Sequence, residues 1–174
     1  SSISALDKGE EIHAEIDRKG LLEKNIVLGN AVVDMYVKCG ALKKSQEMFN
    51  ELPTRNVVSW NGLMAGFAQF GHVRNVLELF DEMITQGVIP DVVTIHILLS
   101  ACNHAGLVEK GQMYFECMSK DYGIIPSNDH LICVADLFSR SGDIGNVVVM
   151  IRKMPFHPST PVLHTLMVSC QKWG

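Results

Sequence analysis

Several features are scarce or missing in this sequence, and each absence excludes a class of protein. Charged residues make up only 20% of the 174 residues and hydrophobic residues 47%, which excludes an intrinsically disordered chain. No window approaches the roughly 18 consecutive apolar residues that a transmembrane helix needs, so we expect no membrane partner. Five cysteines without paired spacing argue against a disulfide scaffold. The six prolines and few aromatic residues disfavour an all-β domain.

A basic excess is also absent, because 15 Lys and Arg stand against 19 Asp and Glu, for a formal net charge of −4. Proteins that bind duplex DNA usually present a basic face that releases counterions, so this balance disfavours that class. The chain begins with serine, and neither a signal peptide nor an Arg-rich presequence precedes the periodic part. We therefore expect a fragment of a longer protein, with any targeting segment elsewhere.

What the sequence does contain is an internal repeat. A short turn motif recurs around Gly40, Gly71, Gly106 and Gly142. The apolar residue two positions after each glycine belongs to a series with intervals of 36, 31, 35 and 36 residues, formed by Leu6, Leu42, Val73, Val108 and Ile144. A period of this length is typical of helical repeat arrays.

Each unit has the pattern of a helix, a glycine turn and a second helix, with glycine in the left-handed C-terminal cap. The predicted helices cover 4–18, 27–38, 42–52, 58–70, 73–86, 93–105, 107–121, 129–141, 143–154 and 161–173. A single helical hairpin cannot bury its own apolar stripe, so the units must stack on their neighbours. The sequence therefore predicts an all-α fold, an α-solenoid of stacked helix-turn-helix repeats that forms a right-handed superhelix with one concave surface.

Three segments carry a family resemblance: Asn30–Gly40 (NAVVDMYVKCG), Val57–Asn61 (VVSWN) and Gly87–Asp91 (GVIPD). Their wording resembles the pentatricopeptide repeat proteins of land plants. The alternating unit lengths resemble the subclass that mixes short, standard and long repeats (the PLS type). On this resemblance the chain divides into a partial long repeat at 1–25, a short repeat at 26–56, a standard repeat at 57–91, a long repeat at 92–127, a final short repeat at 128–159, and the first helix of a truncated extension motif at 160–174.

The resemblance implies sequence-specific binding of single-stranded RNA, with one base per repeat. In this family two side chains read each base, the fifth residue of the first helix and the last residue of the repeat. These base-reading pairs would be Asn30 with Asn56, Asn61 with Asp91, His96 with Ser127 and, more weakly, Ile132 with Ser159. The residues that would stack on base faces are Val27, Val58 and Val93, with Asp129 in the last repeat. Ile132 and Asp129 depart from the family pattern, so the pair in the last repeat would be the weakest of the four.

The family pairing rules assign bases to two of these pairs. With the N-terminus toward the RNA 5′ end, Asn30 with Asn56 would prefer a pyrimidine, and Asn61 with Asp91 would prefer the uracil that follows it. The pair of His96 with Ser127 matches no rule, so its base stays open.

The resemblance further implies an organellar protein, in a mitochondrion or chloroplast, that addresses cytidines for conversion to uridine. This chain would supply the address, and a deaminase domain would lie elsewhere in the parent protein. Its partners would be an organellar transcript and protein editing cofactors. Two alternatives stay open: an organellar splicing or stability factor without an editing role, and a protein-binding helical scaffold, which the acidic charge favours. Unpaired helices at 4–18 and 161–173 predict end-to-end self-association.

No catalytic residue, metal or cofactor is expected in this chain. His13 and Glu15 match the His-x-Glu of zinc deaminases, but the Pro-Cys-x-x-Cys which that chemistry also needs is missing. Asp34 and Asp136 occupy equivalent positions in different repeats, which predicts solvated or turn-stabilising carboxylates and not a catalytic pair. The dispersed cysteines are interpreted as small core residues and not as metal ligands: Cys39, Cys102, Cys117, Cys133 and Cys170.

Overall fold

The computed structural model describes residues 2–22 and 25–140, and single residues beyond them at 142, 145, 149, 160, 163, 164, 167 and 168. Within this part the chain forms helices and no strand, so the all-α prediction is confirmed. The helices are α1 (Ser2–Arg18), α2 (Ile26–Lys38), α3 (Leu42–Glu51), α4 (Val57–Gln69), α5 (Val73–Thr85), α6 (Val92–Ala105), α7 (Val108–Lys120) and α8 (Asn128–Arg140).

The predicted bounds of α2 to α8 each fall within one residue of those observed. The helices predicted at 143–154 and 161–173 fall where only single residues are described. None of the described helices combines the length and the apolar character that crossing a membrane requires.

Glycine ends the first helix of each hairpin, as the repeat motif predicted. Gly40 and Gly71 both adopt φ 75°, and Gly106 adopts φ 65°, a left-handed conformation that side chains with a Cβ rarely take. After Gly40 the chain reverses, and the main-chain N–H of Ala41 donates to the carbonyl of Tyr36 at 2.9 Å. This bond satisfies a carbonyl that the helix end leaves without an intrahelical partner, which closes the hairpin tightly.

The chain folds as two compact units, Ser1–Ile89 and Pro90–Gly174. In the first unit α2 packs against α3 and α4, and α4 also packs against α5. Its core contains the fully buried rings of Phe49 and Trp60, which meet edge-to-face at 4.7 Å between centroids. Such an aromatic pair adds about 0.5–1.5 kcal/mol beyond the burial of its area. Because Trp60 lies in the first turn of α4, the pair helps to fix where that helix begins.

In the second unit α6 packs against both α7 and α8. Ile95, Leu98 and Leu131 are fully buried in its core. A polar link joins the C-terminal halves of α6 and α8, because the side-chain amide of Asn103 donates to Asp136 at 2.8 Å. Asp136 is thus a bridge between two first helices, where the sequence had suggested a solvated or turn-stabilising carboxylate.

The second helices are amphipathic and the first helices are buried on more sides. Along α5 the buried residues are Val76, Leu79, Phe80 and Met83, the spacing of one helix face. Its opposite face is exposed and carries an ion pair of Arg74 with Glu78. Exposed pairs of this kind contribute little stability, typically about 0–1 kcal/mol.

Candidate functional site

Asn56 and Asp91, which end two of the predicted repeats, are the N-caps of the first helices that follow them. Asn56 caps α4: its side-chain oxygen accepts from the main-chain N–H of Ser59 at 3.0 Å, and the Ser59 hydroxyl accepts from the Asn56 N–H at 3.2 Å. Asp91 caps α6 through the same reciprocal box with Thr94. A cap of this kind stabilises a helix by about 1 kcal/mol and holds the side chain at the helix start. Sequence reasoning missed this role, although the Asn-x-x-Ser and Asp-x-x-Thr spacing signals it.

Ser127 stands at the same place before α8, but its partner is an imidazole. The main-chain N–H of Ser127 donates to Nδ1 of His130 at 3.1 Å, and its Oγ lies 2.6 Å from the same atom. The other ring nitrogen, Nε2, lies 2.9 Å from the carbonyl oxygen of Val92, at the start of α6. His130 is 1% exposed. It was not among the predicted site residues, because histidine is not a usual member of a capping box.

Burial lowers the pKa of His130 below its ordinary value, mainly because the imidazolium would lose its hydration there. A charge on His96 would lower this pKa further, while the bond to Val92 and the carboxylate of Asp129 raise it. The rings of His96 and His130 meet edge-on, with centroids 5.8 Å apart. The imidazole of His130 is therefore neutral near pH 7.

Three valines are exposed at the second residue of their helices. Val27 in α2 is 73% exposed, Val58 in α4 is 58% exposed, and Val93 in α6 is 53% exposed. Exposed apolar residues are common singly, but here the same helix position is apolar and exposed three times. The equivalent residue of α8, Asp129, is also exposed and is charged. Helices α2, α4 and α6 thus present an exposed aliphatic side chain at this position, and α8 does not.

The fifth residue of each first helix lies deeper than the valine. Asn61 is 7% exposed, which differs from the expected groove-lining position, and Asn30, His96 and Ile132 are half-buried. Oδ1 of Asn30 and Nδ1 of His96 are buried without any hydrogen-bond partner among the described residues. Leaving such an atom unpaired costs about 1–3 kcal/mol, so it marks a place where a ligand atom can bind. Ser159, the second member of the fourth predicted pair, lies outside the described residues.

One cation lies beside the predicted base-reading residues. The guanidinium carbon of Arg55, the residue before Asn56, lies 5.2 Å from the ring centroid of Phe49 and 5.9 Å from that of Trp60. Within the described residues it has no carboxylate partner, whereas Arg74 pairs with an acidic side chain of its own helix. Stacking on the two rings orients the guanidinium and leaves its N–H donors available.

The two residues that match a deaminase motif do not converge. Nδ1 of His13 lies 2.9 Å from the hydroxyl of Tyr36, and the two rings meet edge-on. Glu15 instead pairs with Arg18 at 2.5 Å on the exposed side of α1. Within the described residues no three His, Cys, Asp or Glu side chains gather as a metal site. His13 is thus a packing residue between α1 and α2.

The cysteines differ in burial more than the core interpretation predicted. Cys102 is fully buried, but Cys39, Cys117 and Cys133 are only half-buried, and Cys170 lies outside the described residues. Burial raises the pKa of Cys102 and of Cys133 to about 11, so both thiols are protonated near pH 7. Of the two predicted equivalent carboxylates, Asp34 forms an exposed pair with Lys38 at 2.6 Å, as expected for a solvated group.

Family models match the part of the chain that contains these helices. A model described as "PPR repeat family" matches residues 55–104, and one described as "PPR repeat" matches residues 30–57 and 93–122. Together the matches run from residue 30 to residue 122, more than half of the chain. PPR denotes the pentatricopeptide repeat.

The chain is also similar to plant proteins along almost its whole length. A putative pentatricopeptide repeat-containing protein of Arabidopsis thaliana is 42% identical, with 98% of this chain and 28% of the relative covered. A relative of Arabidopsis thaliana that is named chloroplastic is 39% identical, with 89% of this chain and 17% of the relative covered. Another, named mitochondrial, is 36% identical, with 98% of this chain and 30% of the relative covered. The chain therefore spans less than a third of the length of these relatives.

Solved structures share the fold. The pentatricopeptide repeat protein PPR10 from maize superposes with a TM-score of 0.75 at 18% identity, over 95% of this chain and 24% of that protein. The structure of PPR10 in complex with an 18-nt psaJ RNA element gives a TM-score of 0.69 at 23% identity, over 84% of this chain and 22% of that protein. The PPR domain of Arabidopsis thaliana protein-only RNase P 1 in complex with tRNA gives a TM-score of 0.70 at 18% identity, over 84% of this chain and 80% of that domain.

Proposed function

Because this chain belongs to the pentatricopeptide repeat family, we propose that it binds single-stranded RNA in a sequence-dependent manner, one base per repeat. The observation that carries the proposal is repeated at the start of the first helices. An exposed valine at the second residue is followed three residues later by a polar side chain, and in two cases a buried atom of that side chain lacks a partner among the described residues. Similar solved proteins are described in complex with RNA, which supports the same function.

Each part of this arrangement suits one feature of an unpaired base. An aliphatic side chain such as Val58 can cover the face of a base, which is apolar and flat. Asparagine side chains such as Asn30 and Asn61 can both donate and accept, as the edge of a pyrimidine requires. The capping residues Asn56 and Asp91 lie at the start of the helices and provide the second member of each pair. Ile132 with Ser159 is the weakest pair, since isoleucine offers no hydrogen bond.

Arg55 adds the positive charge that a phosphate backbone needs in a chain of net charge −4. We propose that its guanidinium contacts the phosphate beside the base read by Asn30 and Asn56. Stacking on Phe49 and Trp60 orients the donors before RNA arrives, so little side-chain entropy is lost on binding.

For the parent protein we propose the addressing role in organellar C-to-U RNA editing, with repeat units at 1–25, 26–56, 57–91, 92–127, 128–159 and 160–174 of the PLS type. The names of the relatives support an organelle, either mitochondrion or chloroplast. The deamination would belong to another part of the parent protein, and editing cofactors would be its protein partners. A splicing or stability factor is the alternative with the same RNA-binding chemistry.

Selection of RNA from a random pool by the parent protein tests this function. We expect enrichment of a pyrimidine followed by uracil at neighbouring positions, read by Asn30 with Asn56 and by Asn61 with Asp91. Competition binding with this chain, against RNAs changed at one nucleotide each, then assigns the positions. Equal binding of all sequences would contradict base reading. If the parent protein retains no RNA but binds protein partners in a separate pull-down, it is instead a protein-binding scaffold.

A further inference from the structure

The imidazole of His130 is held in one neutral tautomer by two main-chain groups whose roles are fixed. The carbonyl oxygen of Val92 can only accept, so Nε2, 2.9 Å away, carries the hydrogen. The main-chain N–H of Ser127 can only donate, so Nδ1, 3.1 Å away, carries none. His130 is almost fully buried, and solvent therefore does not compete for either nitrogen.

This tautomer determines the direction of the Ser127 hydroxyl. Its Oγ lies 2.6 Å from Nδ1, and because Nδ1 has no hydrogen, the hydroxyl must donate to it. A serine hydroxyl has one hydrogen and two lone pairs. With the hydrogen committed to His130, Ser127 can offer a ligand only its lone pairs. An ordinary serine would instead rotate its hydroxyl to suit either a donor or an acceptor.

Ser127 thereby acquires the character of the aspartate one repeat earlier. Asp91 caps α6 as Ser127 precedes α8, and its carboxylate also accepts from its box partner, Thr94. An ionised carboxylate is acceptor-only, and so is this serine. The other member of the pair with Ser127 is His96. Its Nδ1 is buried without a partner among the described residues, and this nitrogen can carry the hydrogen and act as the donor.

We propose that His130 makes Ser127 an acceptor-only reader, so that the repeat at 92–127 prefers uracil or guanine over cytosine or adenine; this inference rests on the proposed function. Uracil and guanine present a ring N–H beside a carbonyl oxygen, which suits an acceptor at Ser127 and a donor at His96. Cytosine and adenine present a bare ring nitrogen beside an amino group. Their ring nitrogen would face the lone pairs of Ser127, which is unfavourable.

The test is competition binding to RNAs that differ only in the nucleotide after the pyrimidine–uracil pair. Wild-type protein should bind the uracil and guanine RNAs on the order of tenfold more tightly than the cytosine and adenine RNAs, the size of one good base contact. Ser127→Ala should lose this preference. His130→Thr should also reduce this preference. A threonine hydroxyl can donate to Oγ of Ser127, and the serine hydroxyl is then free to donate its own hydrogen to the base.

Thr94→Ser is the matched control, because it keeps the box around Asp91 and should leave the preference at the third nucleotide unchanged. Thermal unfolding followed by circular dichroism checks that each variant folds. Should His130→Thr unfold, Ser127→Ala still decides the matter, since its side chain lies at the helix start and not in the core.

Two results separate the inference from the proposed function. A uracil preference at the Asn61 position, combined with equal binding or with a cytosine or adenine preference at the next one, would overturn the inference alone. Persistence of the uracil and guanine preference in Ser127→Ala would do the same. Loss of base dependence at every position in the wild-type protein would overturn the proposed function and the inference with it.

Discussion

Nε2 of His130 and the carbonyl oxygen of Val92 lie 2.9 Å apart although 38 residues separate them in the chain. The bond ties the start of α8 to the start of α6, and Nδ1 of the same ring completes the cap at Ser127. In the other two boxes, Ser59 and Thr94 each bond to the cap residue of their own helix. His130 therefore joins two consecutive first helices, and its protonation state bears on the stability of the second unit.

Acidification is expected to destabilise the protein through His130. Its pKa in the folded protein is lower than the ordinary value of about 6.5 that the unfolded chain has, because burial and His96 disfavour the charge more than the bond to Val92 and the carboxylate of Asp129 favour it. As the pH falls below about 6.5, the unfolded state takes up this proton first, so the free energy of unfolding falls. Urea unfolding between pH 7.5 and 5.5 measures the effect. His130→Asn should flatten the pH dependence, and His104→Asn, at an exposed position on α6, should not. Equal slopes in both variants would contradict this assignment.

Exchange of Asn61 for threonine should change the base that one repeat prefers. By the family pairing rules Asn61→Thr moves the preference at this position from uracil toward guanine, while the neighbouring positions stay the same. Losing one base contact costs about 1–3 kcal/mol, by analogy with groove read-out in DNA. Competition binding against RNAs that differ at this nucleotide measures the shift. Asn50→Thr, on the exposed side of α3, is the control. An unchanged uracil preference would show that Asn61 is not the reader.

A charge at the exposed valine of α4 should weaken RNA binding without unfolding the protein. Val58→Asp places a carboxylate where a base would stack, and we expect at least about a tenfold loss of affinity from lost stacking and repulsion by phosphate. Val58 is largely exposed and near a helix N-terminus, where an acidic side chain is tolerated. Ile12→Asp, at an equally exposed position on α1, should bind as the wild type does. Similar losses in both variants would indicate a general charge effect.

Arg55 should affect the salt dependence of binding more than its base preference. A contact with one phosphate of single-stranded RNA contributes about 0.7 to the slope of log affinity against log salt concentration. Arg55→Gln is therefore expected to lower affinity for all RNA sequences and to reduce this slope by about that amount. Arg74→Gln removes the same charge from an ion pair on α5 and should leave the slope unchanged. A slope that Arg55→Gln does not alter would exclude the phosphate contact.

Two glycines of α4 should respond oppositely to alanine. A Cβ on Gly66 would lie 2.6 Å from Cγ2 of buried Val37, so α4 could no longer approach α2 as closely. We expect Gly66→Ala to lower the free energy of unfolding by on the order of 1–2 kcal/mol, since overpacking outweighs the gain in helix propensity. A Cβ on exposed Gly62 would meet nothing within 4 Å, and Gly62→Ala should stabilise by about 0.5–1 kcal/mol. Denaturant unfolding compares the two, and a stabilising Gly66→Ala would refute the close approach.

The helices could be predicted from the sequence because their signals are local. A glycine ends each first helix from α2 to α6, and the apolar residue that follows it marks the start of the second helix. The bounds of α2 to α8 were therefore predicted to within one residue. The reading register is equally local, since it counts from the turn glycine. The family resemblance then assigns the base-reading and base-stacking residues by their distance from that glycine. The exposure of Val27 and Val58 agrees with a surface role for the second residue of a first helix.

Other properties depend on residues distant in the chain, and only the tertiary structure decided them. Asn61 is buried in α4, a helix that packs against α2 and α5, and Asp136 bridges to Asn103 because α8 packs on α6. The sequence by itself determined that a serine ends the proposed repeat at 92–127. That Ser127 can only accept follows from the carbonyl of Val92, which holds His130 in one tautomer. A hydrogen-bond direction depends on every partner in the network, and here those partners meet only after two helices have packed together.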